Sequence, residues 1–194
     1  MGLKEYKAKR KFSNTPEPEG KVKKGKGTLK FVIQKHHASH LHYDFRLEMD
    51  GVLKSWAIPK GPSMNPGDKR LAMMVEDHPL EYGSFEGIIP KGNYGAGTVM
   101  IWDEGVYYSS QEEGDKALKK GLYEGNLKFI MKGKKLKGEF ALVRLKTGKG
   151  NEWLLIKKKD EYASEEDITK KDKSVTSKRT LDQIKNQSGQ GDSV

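Results

Sequence analysis

The 194-residue chain contains no cysteine. Disulfides, thiolate metal sites and a cysteine nucleophile are therefore excluded. No long apolar run is present, which excludes a transmembrane helix, and the N-terminus lacks the apolar core of a secretory signal. An intracellular protein is the expectation. Tryptophan occurs 3 times, and hydrophobic residues make up 34% of the chain. The apolar residues are clustered, so one core of ordinary size is still affordable, and one domain is the expectation for this length. Acidic side chains are the minority charge: 27 Asp+Glu against 37 Lys+Arg, a formal net charge of +10. That excess points to a polyanionic partner, nucleic acid first and an anionic membrane surface second.

What is present is unevenly distributed. Residues 1–27 are rich in Lys, Gly and Pro and read as a basic, mobile N-terminal arm. Residues 28–160 hold short apolar runs between glycine, proline and charged turns. Lys54–Ile58, Leu71–Val75, Thr98–Trp102, Leu127–Met131, Glu139–Leu145 and Trp153–Lys157 read as strands, with a hairpin across Lys132–Lys135. Only Glu112–Leu122 reads as a helix in this core. Many short strands with glycine turns favour a closed barrel or a sandwich. Residues 161–194 are polar and read as a flexible tail with a brief helix near Leu181–Asn186.

Four of the five histidines lie in the seven residues from His36 to His42. From position 40 the chain alternates with period two. His40, His42, Asp44, Arg46 and Glu48 share one face, and Leu41, Tyr43, Phe45 and Leu47 the other, as in a half-buried strand. His36, His42 and Asp44 make an N/O ligand set suited to Mn²⁺, Fe²⁺ or Zn²⁺. Arg46, two residues past Asp44, is awkward beside a metal unless an anion joins them, and a phosphate fits its planar fork. Downstream lie Lys69-Arg70 and Glu76-Asp77-His78-Pro79-Leu80-Glu81-Tyr82. His78 is a candidate proton donor to a leaving group, and Tyr82 a hydrogen-bond donor to a phosphate oxygen. The segment Pro90–Thr98 lacks the G-K-[ST] ending of a P-loop. It reads as a turn into a strand, with Lys91 available to substrate.

Phe31–His36, Leu41–Glu48, Lys54–Pro62, Glu76–Pro79, Phe85-Glu86-Gly87 and Tyr94–Gly97, in this order and spacing, resemble the 3′-phosphoesterase domain of the bacterial DNA end-joining ligase D, including its free-standing bacterial and archaeal forms. The match runs from about Tyr6 to about Lys157. The resemblance implies a compact closed β-barrel that binds Mn²⁺ and heals DNA 3′ ends during non-homologous end joining. Such enzymes remove a terminal ribonucleoside from a primer strand and hydrolyse the remaining 3′-phosphate to a hydroxyl. By position, His36, His42 and Asp44 match the metal ligands. Arg46, Arg70 and His78 match residues that engage the phosphate, with Lys60 and Tyr82 nearby, and Arg10 and Glu17 match positions linked to activity. His37 and His40 fall at variable positions. Where the family often has an acidic residue before Phe12, this chain has Lys11. Implied partners are a primer-template with a 3′-phosphate or 3′-ribonucleotide end and, on separate chains, an ATP-dependent ligase, a primase-like polymerase and a Ku-like end-binder. The implied location is the cytoplasm, on the nucleoid, with no membrane partner.

Two rival readings remain from the residues alone. Two histidines and a carboxylate also serve non-haem iron oxygenases, and His40-x-His42 with Glu48 is similar to the cupin metal motif. Arg46, Arg70 and His78 argue against this, because they call for an anion. The other rival is a non-catalytic basic barrel that binds DNA, with Tyr107-Tyr108 as stacking residues.

Overall fold

The computed structural model describes residues 2–23 and 27–187. Nine strands follow one another: β1 (Lys30–His37), β2 (Leu41–Met49), β3 (Val52–Ile58), β4 (Lys69–His78), β5 (Gly87–Ile89), β6 (Gly97–Ser109), β7 (Asn126–Gly133), β8 (Lys137–Arg144) and β9 (Glu152–Lys157). The sheet order is β1-β2-β3-β4-β9-β8-β7-β6-β5, and β1 also pairs with β6. That pairing closes eight antiparallel strands into a barrel and leaves short β5 outside the ring, on the edge of β6. Closure removes the exposed sheet edges that a protein this rich in short strands would otherwise carry.

Period-two alternation fills the barrel. Phe31, Ile33, Tyr43, Phe45, Leu47, Trp56, Ile58, Trp102, Phe129, Phe140 and Trp153 belong to one buried cluster. All three tryptophans are fully buried, so scarcity is offset by placement. Leu41 departs from the expected inward row: it is exposed, because it opens β2 opposite His37, the last residue of β1, at the barrel's rim. The β2–β3 connection is Asp50-Gly51, with φ values of 53° and 77°, the two-residue turn whose twist suits a hairpin. Gly97 is required at the start of β6, since a Cβ there would lie 2.2 Å from the His37 carbonyl oxygen.

Among the described residues three short α-helices accompany the barrel: α1 (Lys4–Ala8), α2 (Asp115–Glu124) and α3 (Leu181–Gln187). The helix expected over Glu112–Leu122 begins later, because Gly114 adopts φ 58° and cannot continue a helical turn, and it ends on left-handed Gly125. Among the described residues no helix is long and apolar enough to cross a membrane.

Both polar termini contribute buried side chains. Tyr6 is fully buried, and Ile168, Val175 and Ile184 are each at most 7% exposed. The tail is tied down through its backbone. Trp102 Nε1 donates to the Lys171 carbonyl at 2.8 Å, Lys135 Nζ donates to the Lys171 and Lys173 carbonyls, and Val175 N donates to Ile101 O. Composition reads such segments as solvated. One apolar side chain every several residues suffices to dock a segment when a preformed wall supplies the rest of the contact. A second apolar cluster of Tyr6, Val32, Leu53, Tyr82, Ile101 and Val175 lies on the outside of the barrel. It borders the polar faces of β1 and β2.

Candidate active site

Val32, Gln34 and His36 alternate with the inward residues of β1, and His42, Asp44 and Arg46 do so on β2. The strand register pairs His36 with His42, Gln34 with Asp44 and Val32 with Arg46. One patch of outer wall therefore carries all the polar side chains. It is not an open surface. Arg46 is 2% exposed, His36 6% and Asp44 8%; the Tyr82 ring lies over Arg46 and the Gly95 backbone against His36.

Among the described residues His36, His42 and Asp44 form a ligand group, with one donor atom from each lying within 4.8 Å of the others. Bonds of about 2.0–2.2 Å to one ion impose a comparable spacing, up to roughly 4.4 Å. The two imidazoles are oriented by backbone carbonyls. His36 Nε2 lies 2.9 Å from Gly95 O, and His42 Nδ1 lies 3.0 Å from His40 O. A carbonyl only accepts, so these nitrogens carry the hydrogens. In the neutral rings the lone pairs are then on His36 Nδ1 and His42 Nε2, the atoms that face Asp44 at 3.5 Å and 3.7 Å. Fixing tautomer and ring orientation in this way is what second partners do for metal-binding histidines. The donor set fits a first-row divalent ion. His40 thus contributes a carbonyl and not its imidazole. Glu48 lies far along β2 with its carboxylate on Lys30 N, so the cupin-like trio does not assemble.

Asp44 is held as a carboxylate. Burial works to raise its pKa, but the adjacent Arg46 charge overrides it and keeps the group well below the usual carboxylate range. Arg46 Nη2 contacts Asp44 Oδ2 at 3.1 Å. Its Nε donates to Gln34 Oε1 at 2.8 Å and its Nη1 to Ser55 Oγ at 2.9 Å. Gln34 Nε2 in turn donates to the Tyr82 and Phe85 carbonyls, which fixes the amide so that its oxygen faces the arginine. The guanidinium lies 4.9 Å from the Tyr82 ring centroid. These partners leave an N–H on each terminal nitrogen for another acceptor.

His78 reaches the same patch through a backbone irregularity. Ala72 and Met74 of β4 face the core, and simple alternation would send Glu76 and His78 inward too. The register between β3 and β4 shifts between Leu53 and Ser55. This bulge turns Asp77 toward buried Lys54, 2.8 Å away, and Glu76 and His78 outward. His78 Nδ1 donates to Glu76 O, and its Nε2 lone pair accepts from Arg10 Nη2 at 3.4 Å. Burial and then the Arg46 and Arg10 charges push its pKa well below 6.5, so it is neutral in the folded protein. The consequence for stability has a definite sign. An unfolded-chain histidine takes up a proton near pH 6.5 while buried His78 does not. Stability is thus fully present above that pH and falls, at up to about 1.4 kcal/mol per unit, as the pH drops toward the depressed folded value. Urea unfolding between about pH 7.5 and about pH 5.5 is expected to show this slope, and His78→Asn to flatten it.

The matched stretch supplies the family. Residues 34–144 match the family described as DNA Ligase D 3′-phosphoesterase domain. The chain belongs to the DNA ligase D 3′-phosphoesterase family. The chain is 48% identical over 186 residues to the multifunctional non-homologous end joining protein LigD of Pseudomonas aeruginosa, covering 92% of this chain and 22% of that protein. It is 44% identical over 161 residues to the LigD proteins of Mycobacterium tuberculosis and Mycolicibacterium smegmatis, covering 82% and 80% of this chain and 20% of each. The chain spans about a fifth of the length of these relatives.

In this member of the family the expected residues fall into two groups. His36, His42, Asp44, Arg46, His78 and Tyr82 converge, and Arg10 and Glu17 join them from the arm. Arg10 Nε pairs with Glu17 Oε1 at 2.9 Å and Nη1 with Glu76 Oε1 at 3.3 Å, and its Cζ lies 4.0 Å from the Tyr6 ring centroid. Tyr82 is buried between aromatic and cationic neighbours: its ring is 4.9 Å from His78 and packs edge-on to Tyr6. Burial pushes its phenol well above 10. Arg70 and Lys60 lie elsewhere, in a separate depression with Pro59, Asp68 and Leu71. Arg70 Nη2 pairs there with Asp68 at 2.8 Å. Of Tyr107-Tyr108 only Tyr108 is exposed. Alternation turns Tyr107 inward, where its hydroxyl donates to Glu48 O at 2.6 Å. Sequence reasoning missed Gln34, Ser55 and Glu76. Gln34 and Ser55 had a signal, since period-two alternation puts polar side chains on the Arg46 face. Glu76 had none, because a bulge re-aims it.

Proposed function

We propose that this protein is a Mn²⁺-dependent phosphoesterase that heals DNA 3′ ends in break repair by non-homologous end joining. It would remove a 3′-terminal ribonucleoside and hydrolyse the 3′-phosphate to a hydroxyl. The observation that carries the reading is the shared carboxylate. Asp44 is at once the third member of the metal group and the partner of buried Arg46, so a bound ion and the guanidinium would act on one phosphate. When bound, the ion at His36, His42 and Asp44 supplies Lewis-acid polarisation of a phosphoryl oxygen.

The remaining work falls to the protein. The free N–H groups of Arg46 offset charge that builds on the phosphoryl oxygens as water attacks. Arg10 holds the outer side of the phosphate, with Glu17 and Glu76 fixing its guanidinium. His78 presents Nε2 toward the same point. A bound phosphate would counter the Arg46 and Arg10 charges that, after burial, keep the ring neutral, and so let Nε2 carry a proton to the departing oxygen. Tyr82 positions Arg46 and His78 through its ring. Lys60 and Arg70, in their separate depression, suit the strand's backbone phosphates, and the net charge of +10 suits contacts with little sequence preference. The domain reading is a basic arm over residues 1–27 that completes the site, a barrel over 28–160, and a tail over 161–194. The place of action would be the cytoplasmic nucleoid, with ligase, polymerase and Ku-like functions on other chains.

Phosphate release from 3′-phosphate DNA, with and without Mn²⁺, tests the reading. Wild type is expected to release phosphate only with the ion, and His42→Ala to fall to background. Equal release by both would overturn the site, and no release by either would favour the DNA-binding barrel.

A further inference from the structure

A groove of 820 Å³ runs beside the arginine cluster, between α1, the middle of β4 and the turn before β9. Met74 and Val75 line it, with Lys4, Lys9, Glu76 and Tyr94 around them. Tyr94 is 50% exposed and belongs to neither apolar cluster. It precedes Gly95, whose carbonyl orients His36. Its ring centroid lies 5.1 Å from Lys9 Nζ and 5.5 Å from Arg10 Cζ, and Arg10 reaches His78. The ring therefore stands one side chain away from the proposed phosphate position. Lys9 is neutralised by Glu5 at 2.8 Å and Glu76 at 3.0 Å. The groove thus mixes charges and does not offer a run of cations for further phosphates. The side chains of Met74 and Val75, the half-exposed Tyr94 ring and a rim that mixes Lys4, Lys9 and Lys149 with Glu5 and Glu76 suit a flat group with polar edges.

We infer that this groove is the subsite for the 3′-terminal nucleoside, with Tyr94 stacking on its base. The inference rests on the DNA 3′-end reading above. In ribonucleoside removal the scissile phosphate occupies the centre and the departing nucleoside lies beyond it. Water's oxygen joins phosphorus, the P–O5′ bond breaks, and O5′ leaves with a proton. In 3′-phosphate hydrolysis no nucleoside lies on that side. Tyr94 is thus a specificity-determining residue for one of the two reactions. Stacking tolerates any base, because every base has a π-face.

The test compares wild type, Tyr94→Ala and Tyr94→Phe on two primers of one sequence, ending in a ribonucleoside or a 3′-phosphate. Tyr94→Ala is expected to raise KM for the ribonucleoside end roughly tenfold more than for the 3′-phosphate end, and Tyr94→Phe to restore it. A primer ending in 2-aminopurine ribonucleoside gives a readout independent of turnover. Its fluorescence should be quenched by wild type and Tyr94→Phe and not by Tyr94→Ala. Equal losses on both primers, or undiminished quenching by Tyr94→Ala, would overturn the subsite. Failure of the 3′-end reading is separately visible as wild type releasing no phosphate, and the quenching comparison still decides the stacking.

Discussion

Asp44→Asn is expected to abolish metal binding and to lower phosphate release on the order of 10³-fold, the scale of several kcal/mol of lost charge stabilisation. The substitution keeps the side chain's shape and removes its charge. His36 Nδ1 and His42 Nε2 would then face an amide, and two neutral nitrogens hold a divalent ion poorly without the carboxylate. Thermal unfolding checks the cause separately from the rate. A ligand at a hundred times its Kd stabilises by about 2.7 kcal/mol, so wild type should melt higher when Mn²⁺ is added. The Asp44→Asn protein should show no such rise. A rise equal to wild type would remove Asp44 from the metal group.

Arg46→Lys is expected to cost roughly 10²–10³-fold in rate while metal binding persists, the effect of losing a fixed donor to a developing oxyanion. Both residues are cations, but they are not equivalent here. The guanidinium spans Gln34, Ser55 and Asp44 in one plane, whereas an ammonium on a flexible stem meets one or two of them. The buried Gln34 oxygen would lose its partner at a cost of about 1–3 kcal/mol, visible in denaturant unfolding. Retained Mn²⁺ affinity with a collapsed rate would assign Arg46 to the phosphate. Loss of both together would make it a mere support for Asp44.

Much of the fold was legible because its rules are local. The runs at Lys54–Ile58, Leu127–Met131 and Trp153–Lys157 are strands, and the Lys132–Lys135 turn joins a hairpin, since alternation and turn residues act over a few positions. The first helix was not foreseen, and the docking of residues around Tyr6, Ile168 and Val175 was not legible either. Their sequence is polar, and what they gain comes from a wall assembled by distant strands.

The site divides the same way. His42, Asp44 and Arg46 share a face of β2 by period two alone, and His36 enters opposite His42 once β1 and β2 pair. The sequence by itself therefore determined the barrel-forming strands and the chemistry of the working face. Only the tertiary structure decided which histidine nitrogens point inward to a common centre, because that depends on the Gly95 and His40 carbonyls. It also decided that His78 and Glu76 belong to the centre, through a bulge that breaks the alternation of β4, and that Arg70 and Lys60 stand apart from it. Alternation is a property of one strand. Register, bulges and docked segments are set by the balance of contacts across the whole barrel, and no window of sequence contains them.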